Sequence, residues 1–356
     1  MIDQLFSKSK RPFLISGPCS AETEIQVLET CSRLKNTGKV DMFRAGIWKP
    51  RTRPGSFEGV GEIGLNWLVE ARKANNIPIC VEVAKASHIE SCLKLGVDVL
   101  WVGARTTANP FSVQEIADAL KGVNIPVMVK NPTNPDLELW IGAIERLREA
   151  GLSQIAAIHR GFSFSGEKTF RNRPQWSIAI DLKTRMPEMP MINDPSHICG
   201  RRDLLFSVAQ KAMDLNFDGL MIEAHVTPEQ AWSDAAQQVT PEIYAELVGN
   251  LVLRTEVPER LESISVLEKM RKNLDLIDDE MMNLLSSRMT ISREIGKYKK
   301  MNNITILQSN RWRKTLERYV SKASNHQLSE DFIARFIKAI HDESIEQQNK
   351  VLNSQT

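Results

Sequence analysis

Four residues with metal-binding side chains stand at, or shortly after, the ends of short apolar runs in the N-terminal part of the chain. They are Cys19, His197, Glu223 and Asp234. A thiolate, an imidazole and two carboxylates suit a borderline divalent ion such as Mn, Fe, Co or Zn better than Mg or Ca. Each residue alone is more often structural, so the metal site depends on all four meeting at one place.

Cationic side chains follow the same kind of apolar run. Five of them are Arg44, Lys49, Arg105, Lys130 and Arg160, and the loop after Lys49 adds Arg51 and the hydroxyl of Thr52. A cation in such a position is usually solvated, but several facing one site would repel each other unless anions bind between them. Arginine forks match carboxylate and phosphate oxygens, so the pattern predicts phosphorylated acids as ligands.

Eight short apolar runs must position these side chains. They cover residues 13–19, 40–46, 77–83, 99–104, 125–131, 155–161, 190–197 and 219–225. Helix-like stretches separate them, and buried strands alternating with amphipathic helices are typical of a parallel sheet. Eight such units predict a closed (β/α)8 TIM barrel, whose chemistry lies at the C-terminal ends of the strands.

The pattern changes after the eighth run. Residues 256–264 are polar and include Pro258, which predicts a linker between a barrel over 1–255 and an all-α domain over 265–356. Its three predicted helices run from about Ser265 to Met301, from about Ser309 to Ala323, and from Ser329 onward. A chain of 356 residues exceeds the usual size of one hydrophobic core, which also favours two domains.

Bulk composition argues against several classes of function. The formal net charge of +2 disfavours nucleic acid or a membrane surface as the main partner. The sequence has no apolar run of about 18 residues, and the segment MIDQLFSKSKRP lacks a signal-peptide core. Five cysteines in a chain without a secretion signal predict a cytoplasmic protein with free thiols.

An apolar seam with spacings of three and four residues runs along the first predicted helix of the tail, as in a heptad repeat. Its members are Leu267, Met270, Leu274, Ile277, Met281, Leu284, Ile291, Ile295 and Tyr298. A helix from Ser265 to Met301 would extend about 55 Å, which is too long for a self-contained three-helix domain. We therefore expect it to pack against a second chain, in a homodimer or a higher homo-oligomer.

Polar side chains interrupt this seam at positions suited to an anion. Arg288 falls where an apolar residue belongs, and Lys299 lies on the same face of the helix. Ser344 and Gln348, four residues apart on the third helix, suit the opposite wall, and Arg311 opens the second helix. The ordinary alternative is a register break with an arginine that extends to solvent. The functional one is a buried cation awaiting an anionic ligand.

Seven short motifs in register carry a resemblance to a known family. GPCS, FRAGIWKPRT, GAR, VKNP, HRG, DPSH and MIEAH stand in this order on the predicted strands. Over roughly residues 11–250 the chain resembles the type Iβ 3-deoxy-D-arabino-heptulosonate 7-phosphate (DAHP) synthases. The resemblance implies metal-dependent condensation of phosphoenolpyruvate with erythrose 4-phosphate, the entry step of the shikimate pathway, with Mn²⁺ as the first expectation.

By that resemblance each candidate residue receives a role. Cys19, His197, Glu223 and Asp234 bind the metal; Arg44, Lys49 and Lys130 hold the carboxylate side of phosphoenolpyruvate; Arg105 and Arg160 hold its phosphate; Arg51 and Thr52 hold the aldose phosphate. Glu82, at the end of the third strand, either orients the attacking water or forms a structural salt bridge. His159 departs from the pattern, since relatives usually carry glutamate there.

Two other interpretations of the barrel remain open. The sister octulosonate-phosphate synthases use a five-carbon sugar phosphate, and they usually carry a KANR-type loop where this chain has Lys49-Pro50-Arg51-Thr52. A non-enzymatic metal- or phosphate-binding barrel would release no phosphate from the two substrates. The loop favours the four-carbon aldose, and the full ligand set favours an enzyme.

The helical segment resembles chorismate mutases of the all-helical class over roughly residues 265–352. The implied substrate-binding set is Arg271, Arg288, Lys299, Arg311, Ser344 and Gln348. In that class Arg271 reaches into the partner subunit's site, while Lys299 and Gln348 stabilise charge on the ether oxygen that is cleaved. Gln308 and Trp312 depart from the pattern, because relatives often carry acids there that bind the hydroxyl end of the substrate.

These observations together predict a bifunctional enzyme that makes DAHP and also converts chorismate to prephenate. About 12 residues precede the first predicted strand, so we expect feedback inhibition by prephenate or chorismate to act through the helical domain. The alternative makes the helical tail a non-catalytic allosteric sensor and dimerisation module.

Overall fold

The computed structural model of the chain describes residues 12–49, 55, 57–255 and 261–353, with side chains from residue 264 onward in the last range. These residues form two compact units, which lie within Met1–Glu256 and Val257–Thr356. In the described ranges, no helix is both long enough and apolar enough to cross a lipid bilayer. All five cysteines are buried free thiols.

Eight parallel strands close into a barrel in the first unit. They are β1 (Phe13–Gly17), β2 (Met42–Ala45), β3 (Ile79–Val83), β4 (Val99–Val102), β5 (Val127–Lys130), β6 (Ile155–His159), β7 (Met191–Asn193) and β8 (Gly219–Glu223). Each strand pairs with its neighbours in the sequence, and β1 pairs with β8 to complete the ring. Every strand lies inside one of the eight apolar runs, so the predicted (β/α)8 barrel is confirmed.

Helices follow the strands of the barrel. They are α1 (Glu24–Asn36), α2 (Ile63–Asn75), α3 (Ala86–Lys94), α4 (Ala104–Thr107), α5 (Pro110–Ala119), α6 (Leu137–Glu149), α7 (Trp176–Arg185), α8 (Pro195–Cys199), α9 (Leu205–Asp214) and α10 (Pro241–Gly249). Capping residues explain where several begin. Thr23, Asn109 and Asp136 precede α1, α5 and α6, and each side chain accepts a first-turn backbone N–H.

The barrel has an inner and an outer core, because successive side chains of a strand point to opposite faces. Ile15, Met42 and Met128 belong to the group that fills the barrel interior. The other face of each strand packs with the surrounding helices in a larger apolar core that includes Leu100 and Trp140. Among the described strands, the interior group is apolar, and polar side chains such as Arg44 and Glu223 stand nearer the C-terminal ends.

In the second unit, residues 261–353 form three α-helices and a short 3₁₀ turn. They are α11 (Leu261–Met301), α12 (Ser309–Val320), the turn Ser324–His326 and α13 (Glu330–Asn353). The 41 described residues of α11 extend about 60 Å, and they already include Leu261, four residues before the start predicted near Ser265. Ser329 Oγ accepts the Phe332 backbone N–H at 3.2 Å, so this residue caps the third helix at its predicted start.

Candidate active sites

Strand alternation explains how five functional side chains reach the mouth of the barrel. In each case a residue of the inner core stands two positions before a polar residue near the C-terminal end of its strand. These pairs are Met42 and Arg44, Cys80 and Glu82, Met128 and Lys130, Ile158 and Arg160, and Met221 and Glu223. The apolar member fills the barrel, and the polar member follows it at the mouth.

Three of the four predicted metal ligands meet at this mouth. Cys19 Sγ and the carboxylate oxygens of Glu223 and Asp234 lie within 4.8 Å of one another. Cys19 and Glu223 are fully buried. His197 stands beside this group rather than inside it, with Nε2 3.7 Å from Glu223 Oε1.

His197 lies in α8, and the expectation that it ends the seventh strand is wrong. The strand β7 ends at Asn193, Asp194 caps α8 and Pro195 follows in its first turn, which are favoured residues at those positions. Asp194 Oδ1 accepts the His197 backbone N–H at 3.1 Å. Its Oδ2 lies 2.8 Å from His197 Nδ1, although off the line of a good hydrogen bond. Asp194 therefore positions both the backbone and the ring of His197.

The donor set fits a divalent cation. Burial, followed by the charge of Glu223, raises the pKa of the Cys19 thiol to about 12. The thiol donates to Asp234 Oδ2 at 3.2 Å. Glu223 Oε1 is buried without a hydrogen-bond partner in the described ranges. A cation bound here would satisfy that oxygen and favour the thiolate form of Cys19.

Two side chains from outside the strands and α-helices support two of the ligands. Gln237 Nε2 donates to Glu223 Oε2 at 2.7 Å, and Arg171 Nη1 donates to Asp234 Oδ1 at 2.9 Å. Although burial alone would raise it, Arg171 and then His197 hold the pKa of Asp234 well below its usual range. Asp234 has a left-handed backbone conformation with φ of 52°, which is uncommon outside glycine.

Arg44 and Lys49 lie directly against the ligand group. Arg44 Nη2 donates to Cys19 O at 3.2 Å and lies 3.3 Å from Glu223 Oε1. Lys49 Nζ donates to Cys19 O at 2.6 Å and to Cys19 Sγ at 3.0 Å. Arg44 Nε is buried with no partner among the described residues, which leaves one guanidinium N–H for an anionic ligand.

Trp101 links the cations across the barrel interior. Arg44 Cζ lies 4.9 Å and Lys130 Nζ 5.9 Å from the centroid of its ring, within the range of a cation–π contact. Lys130 also pairs with Asp194 at 2.8 Å. Trp101 Nε1 donates to Glu82 Oε2 at 3.1 Å, so one indole contacts three predicted site residues.

Arg160 and Arg105 are the two cations expected to bind phosphate. Burial, together with the nearby Arg171 and Arg105, lowers the pKa of Arg160 to about 10. A cation whose charge is disfavoured in this way would be stabilised by a bound anion. Arg105 lies in α4 and is exposed. The predicted aldose-phosphate contacts Arg51 and Thr52 lie outside the described residues.

Four residues of this site have no assignment from the sequence. Asp194 stands in the DPSH motif, and its position before a proline at a helix start is a signal that could have identified it. Trp101 precedes the GAR motif on a strand whose inward face is otherwise apolar. Arg171 lies in a loop and Gln237 in the 3₁₀ turn Ala235–Gln237, and no periodicity places them beside the metal ligands.

A cavity of about 540 Å³ lies among α11, α12 and α13. The predicted residues that line it are Arg288, Lys299, Gln308, Arg311, Trp312, Ser344 and Gln348. The other walls are mainly apolar and include Ile291, Ile337 and Ile345. A concave apolar pocket with a few convergent polar groups is the usual form of a small-molecule site.

Hydrogen bonds join the α11 and α13 walls of this cavity. Arg288 Nη1 donates to Ser344 Oγ, and that hydroxyl donates to Ile340 O at 2.8 Å. Gln348 Nε2 donates to Ser292 Oγ at 3.3 Å. The two walls are therefore held in register before any ligand enters.

Lys299 is the most buried cation of the cavity. It is 8% exposed, and its Nζ donates to Ile306 O at 2.6 Å. Burial and then the charge of Arg311 lower the pKa of Lys299. Arg271 is exposed on α11 and does not line the cavity of its own chain.

Comparison with known proteins relates both units to families of enzymes. The DAHP synthetase I family matches residues 3–255, and chorismate mutase type II matches residues 270–349. The chain belongs to the DAHP synthetase I family. The predicted organisation is therefore confirmed: the chain is a bifunctional shikimate-pathway enzyme with a DAHP synthase barrel and a chorismate mutase domain. Enzymes of this family generally depend on a divalent metal ion.

Relatives from both sister classes align with the chain. The phospho-2-dehydro-3-deoxyheptonate aldolase of Thermotoga maritima is 32% identical over 238 residues, which cover 67% of this chain and 68% of that protein. A 2-dehydro-3-deoxyphosphooctonate aldolase of Paraburkholderia xenovorans is 29% identical over 269 residues, covering 68% of this chain and 90% of the relative.

Solved structures support the barrel. The crystal structure of DAHP synthase from Thermotoga maritima has a TM-score of 0.60 at 30% identity and covers 68% of each chain. A truncated form of the synthase from the same organism has a TM-score of 0.59 at 27% identity, covering 68% of this chain and 85% of the other.

Proposed function

We propose that the barrel condenses phosphoenolpyruvate with erythrose 4-phosphate to give DAHP and inorganic phosphate. The observation that carries this proposal is that Cys19, Glu223 and Asp234 meet beside the cations Arg44 and Lys49 at one end of the barrel. In this reaction C3 of the enol attacks the aldehyde carbon, water adds at C2, and the phosphate leaves from C2.

The cations would hold phosphoenolpyruvate by its two charged ends. Arg44, Lys49 and Lys130 are assigned to the carboxylate side, and Arg105 and Arg160 to the phosphate. Fixing both ends orients C3 toward the aldehyde, which removes much of the entropic cost of bringing the reactants together. The loss of one such preorganised contact typically costs about 10²–10³ in rate.

Cys19, His197, Glu223 and Asp234 would hold the divalent ion, with Mn²⁺ as the first expectation and Fe, Co or Zn as alternatives. When bound, the ion polarises the aldehyde carbonyl as a Lewis acid. The role of the chain is to keep the thiol, the imidazole and the carboxylates together, while Lys49 and Arg44 offset their charge. Chelation is expected to abolish phosphate release, and added Mn²⁺ to restore it.

The four-carbon aldose is supported by the loop Lys49-Pro50-Arg51-Thr52 and by the relative from Thermotoga maritima. The test measures phosphate release by the full-length chain from phosphoenolpyruvate with erythrose 4-phosphate and with a five-carbon aldose phosphate. Faster release with erythrose 4-phosphate is expected. Faster release with the five-carbon sugar would assign the barrel to the octulosonate class, and no release with either would refute a synthase.

We further propose that the helical cavity converts chorismate to prephenate. Chorismate carries two carboxylates, and the cations Arg288, Lys299 and Arg311 line the cavity. Lys299 and Gln348 would stabilise the negative charge that grows on the ether oxygen during cleavage. Lys299→Ala is expected to slow prephenate formation by about 10²–10³. A wild-type protein that binds chorismate without converting it would instead be a sensor and dimerisation module.

An oligomer that pairs α11 with its copy in a second chain would cover the apolar seam. Met270 and Leu274 are each 59% exposed on this helix and Ile277 is 53% exposed, which supports a partner helix. Leu274→Glu is expected to give monomers in sedimentation equilibrium. Asn283→Glu adds the same charge on the opposite face of α11 and should leave the oligomer intact. An unchanged oligomer in Leu274→Glu would refute this pairing.

Feedback control would follow if prephenate or chorismate in the helical cavity inhibits the barrel. Synthase activity is measured with and without saturating prephenate, while calorimetry follows binding to the same protein. Bound prephenate with unchanged synthase activity would refute the regulation. A cytoplasmic setting is supported by the five buried free thiols.

A further inference from the structure

The helical cavity contains a polar side chain that the proposed mutase chemistry does not use. His341 of α13 stacks on Trp312 of α12, with ring centroids 3.9 Å apart and planes inclined by 8°. Both residues line the cavity. The indole of Trp312 can only donate a hydrogen bond through its nitrogen, so the imidazole is the member of this pair that can also accept one.

Two buried polar side-chain atoms of this domain lack a hydrogen-bond partner in the described ranges. They are Gln348 Oε1 and His341 Nε2, and both residues belong to the cavity wall. A buried polar atom without a partner is costly, so the few that occur in native proteins often mark a ligand site. Gln348 already has a proposed role at the ether oxygen, through its NH₂ group, but His341 has none.

The charge state of His341 limits which group of a ligand it can bind. Burial, and then Arg288 and Lys299, lower the pKa of His341, although Asp342 opposes this shift. The imidazole is therefore neutral near pH 7, and it is a poorer match for a carboxylate than the arginines of the cavity. Chorismate offers two carboxylates, an ether oxygen and one ring hydroxyl. With the first three assigned to cations and Gln348, the hydroxyl is the group that a neutral imidazole fits.

We propose that His341 binds the ring hydroxyl of the chorismate-type ligand in this cavity, and that Trp312 is a positioning residue that holds the imidazole by stacking. This inference rests on the proposed mutase function. It also accounts for the absence of an acid at position 312. The hydrogen bond to the hydroxyl comes from His341 on the neighbouring helix, and the stacked ring of Trp312 shields that bond from water.

The test replaces His341 by phenylalanine, which keeps a stacking ring and removes both ring nitrogens. Chorismate and its deoxy analogue, in which hydrogen replaces the ring hydroxyl, are compared as substrates of the full-length chain. His341→Phe is expected to raise KM for chorismate about five- to tenfold, the effect of one neutral hydrogen bond. Since the hydroxyl is not a reacting group, kcat should stay within about twofold. For the deoxy analogue, the wild type and the variant should have equal KM.

His326→Phe is the matched control, because His326 is exposed and does not line the cavity. An unchanged KM for chorismate in His341→Phe would overturn the proposal. An equal rise for chorismate and the deoxy analogue would also overturn it, because His341 would then contact a group other than the hydroxyl.

Two further measurements separate failure of this inference from other failures. If circular dichroism shows that His341→Phe does not fold, the proposal is tested on the wild type instead. The wild type should bind the deoxy analogue about five- to tenfold more weakly than chorismate. Equal binding of the two compounds overturns the proposal. If the wild type forms no prephenate, the mutase function fails. Calorimetric titration with prephenate, which keeps the hydroxyl, then tests His341 alone, and equal affinity of wild type and variant refutes it.

Discussion

Replacing Asp194 by asparagine tests whether one buried carboxylate supports both a substrate cation and a metal ligand. Asp194 Oδ2 lies 2.8 Å from both Lys130 Nζ and His197 Nδ1, and Oδ1 caps α8. Asparagine keeps the shape and the cap but removes the charge. Lys130 is only 4% exposed, so the variant leaves a buried ammonium group without its counter-ion.

Removing one partner of a buried ion pair destabilises proteins by about 3–5 kcal/mol. We expect the lower end, about 3 kcal/mol, because the Trp101 ring still faces Lys130 and the cap persists. Substitution of a residue that orients a metal ligand typically weakens metal binding about 10- to 100-fold. We expect Asp194→Asn to lose Mn²⁺ affinity in that range. Urea unfolding of the barrel and titration with Mn²⁺ measure the two effects.

Asp203→Asn is the matched control, because Asp203 forms an exposed ion pair with Arg201. It should change neither quantity appreciably, since exposed pairs contribute little. The reasoning fails if Asp194→Asn unfolds at the same urea concentration and binds Mn²⁺ as tightly as Asp203→Asn. It fails in part if only stability falls, because Asp194 would then support Lys130 but not His197.

Substitutions at two other positions of the barrel have predictable effects on stability and on rate. Burial lowers the pKa of His159 to about 4, from an ordinary value of 6.5, so below pH 6.5 the unfolded chain takes up a proton that the native state does not. This group alone should therefore lower stability by about 3 kcal/mol between pH 6.5 and 4. In denaturant titrations the loss over this range should be smaller by about that amount in His159→Gln than in the wild type and in His326→Gln, and equal losses in the three proteins would refute the assignment. A side chain at Gly103 would collide with Glu82. Gly103→Ala should therefore displace that carboxylate and slow DAHP formation about tenfold or more, whereas Gly142→Ala, at an open helical position, should not. Equal rates for the two variants would show that Glu82 tolerates the displacement.

The fold could be predicted from the sequence because each strand leaves a local signal. A strand of the barrel is apolar on both faces, so it appears as a short continuous apolar run between amphipathic helices. The same alternation that fills the interior with Met42 and Met221 places Arg44 and Glu223 at the mouth, two residues later. Residue type and position in the run were therefore enough to propose which side chains face the site.

The remainder of the site could not be predicted, because it depends on loops and on contacts between distant segments. Arg171 contacts Asp234 across 63 positions of the sequence, and neither residue lies in a periodic element. His341 is a similar case on a helix: its position fits an amphipathic face, and only the stacking on Trp312 shows that it belongs to a cavity. Such pairings depend on the register of whole elements, which no local spacing specifies.

The departures from the family pattern at His159 and Trp312 differ in kind, and strand geometry decides the first. His159 lies between the inward-facing Ile158 and Arg160, so its ring points to the outer layer of the barrel. There its Nδ1 accepts from Asn193 Nδ2 at 3.0 Å, and its Nε2 donates to Pro174 O at 2.6 Å. A neutral imidazole satisfied on both nitrogens adds no charge to the mouth, so this departure changes the packing behind the site. Trp312, in contrast, lines its cavity directly. If an acid is replaced by tryptophan there, another group on the cavity wall must supply the missing hydrogen bond. His341 is the neutral group that stacks on Trp312.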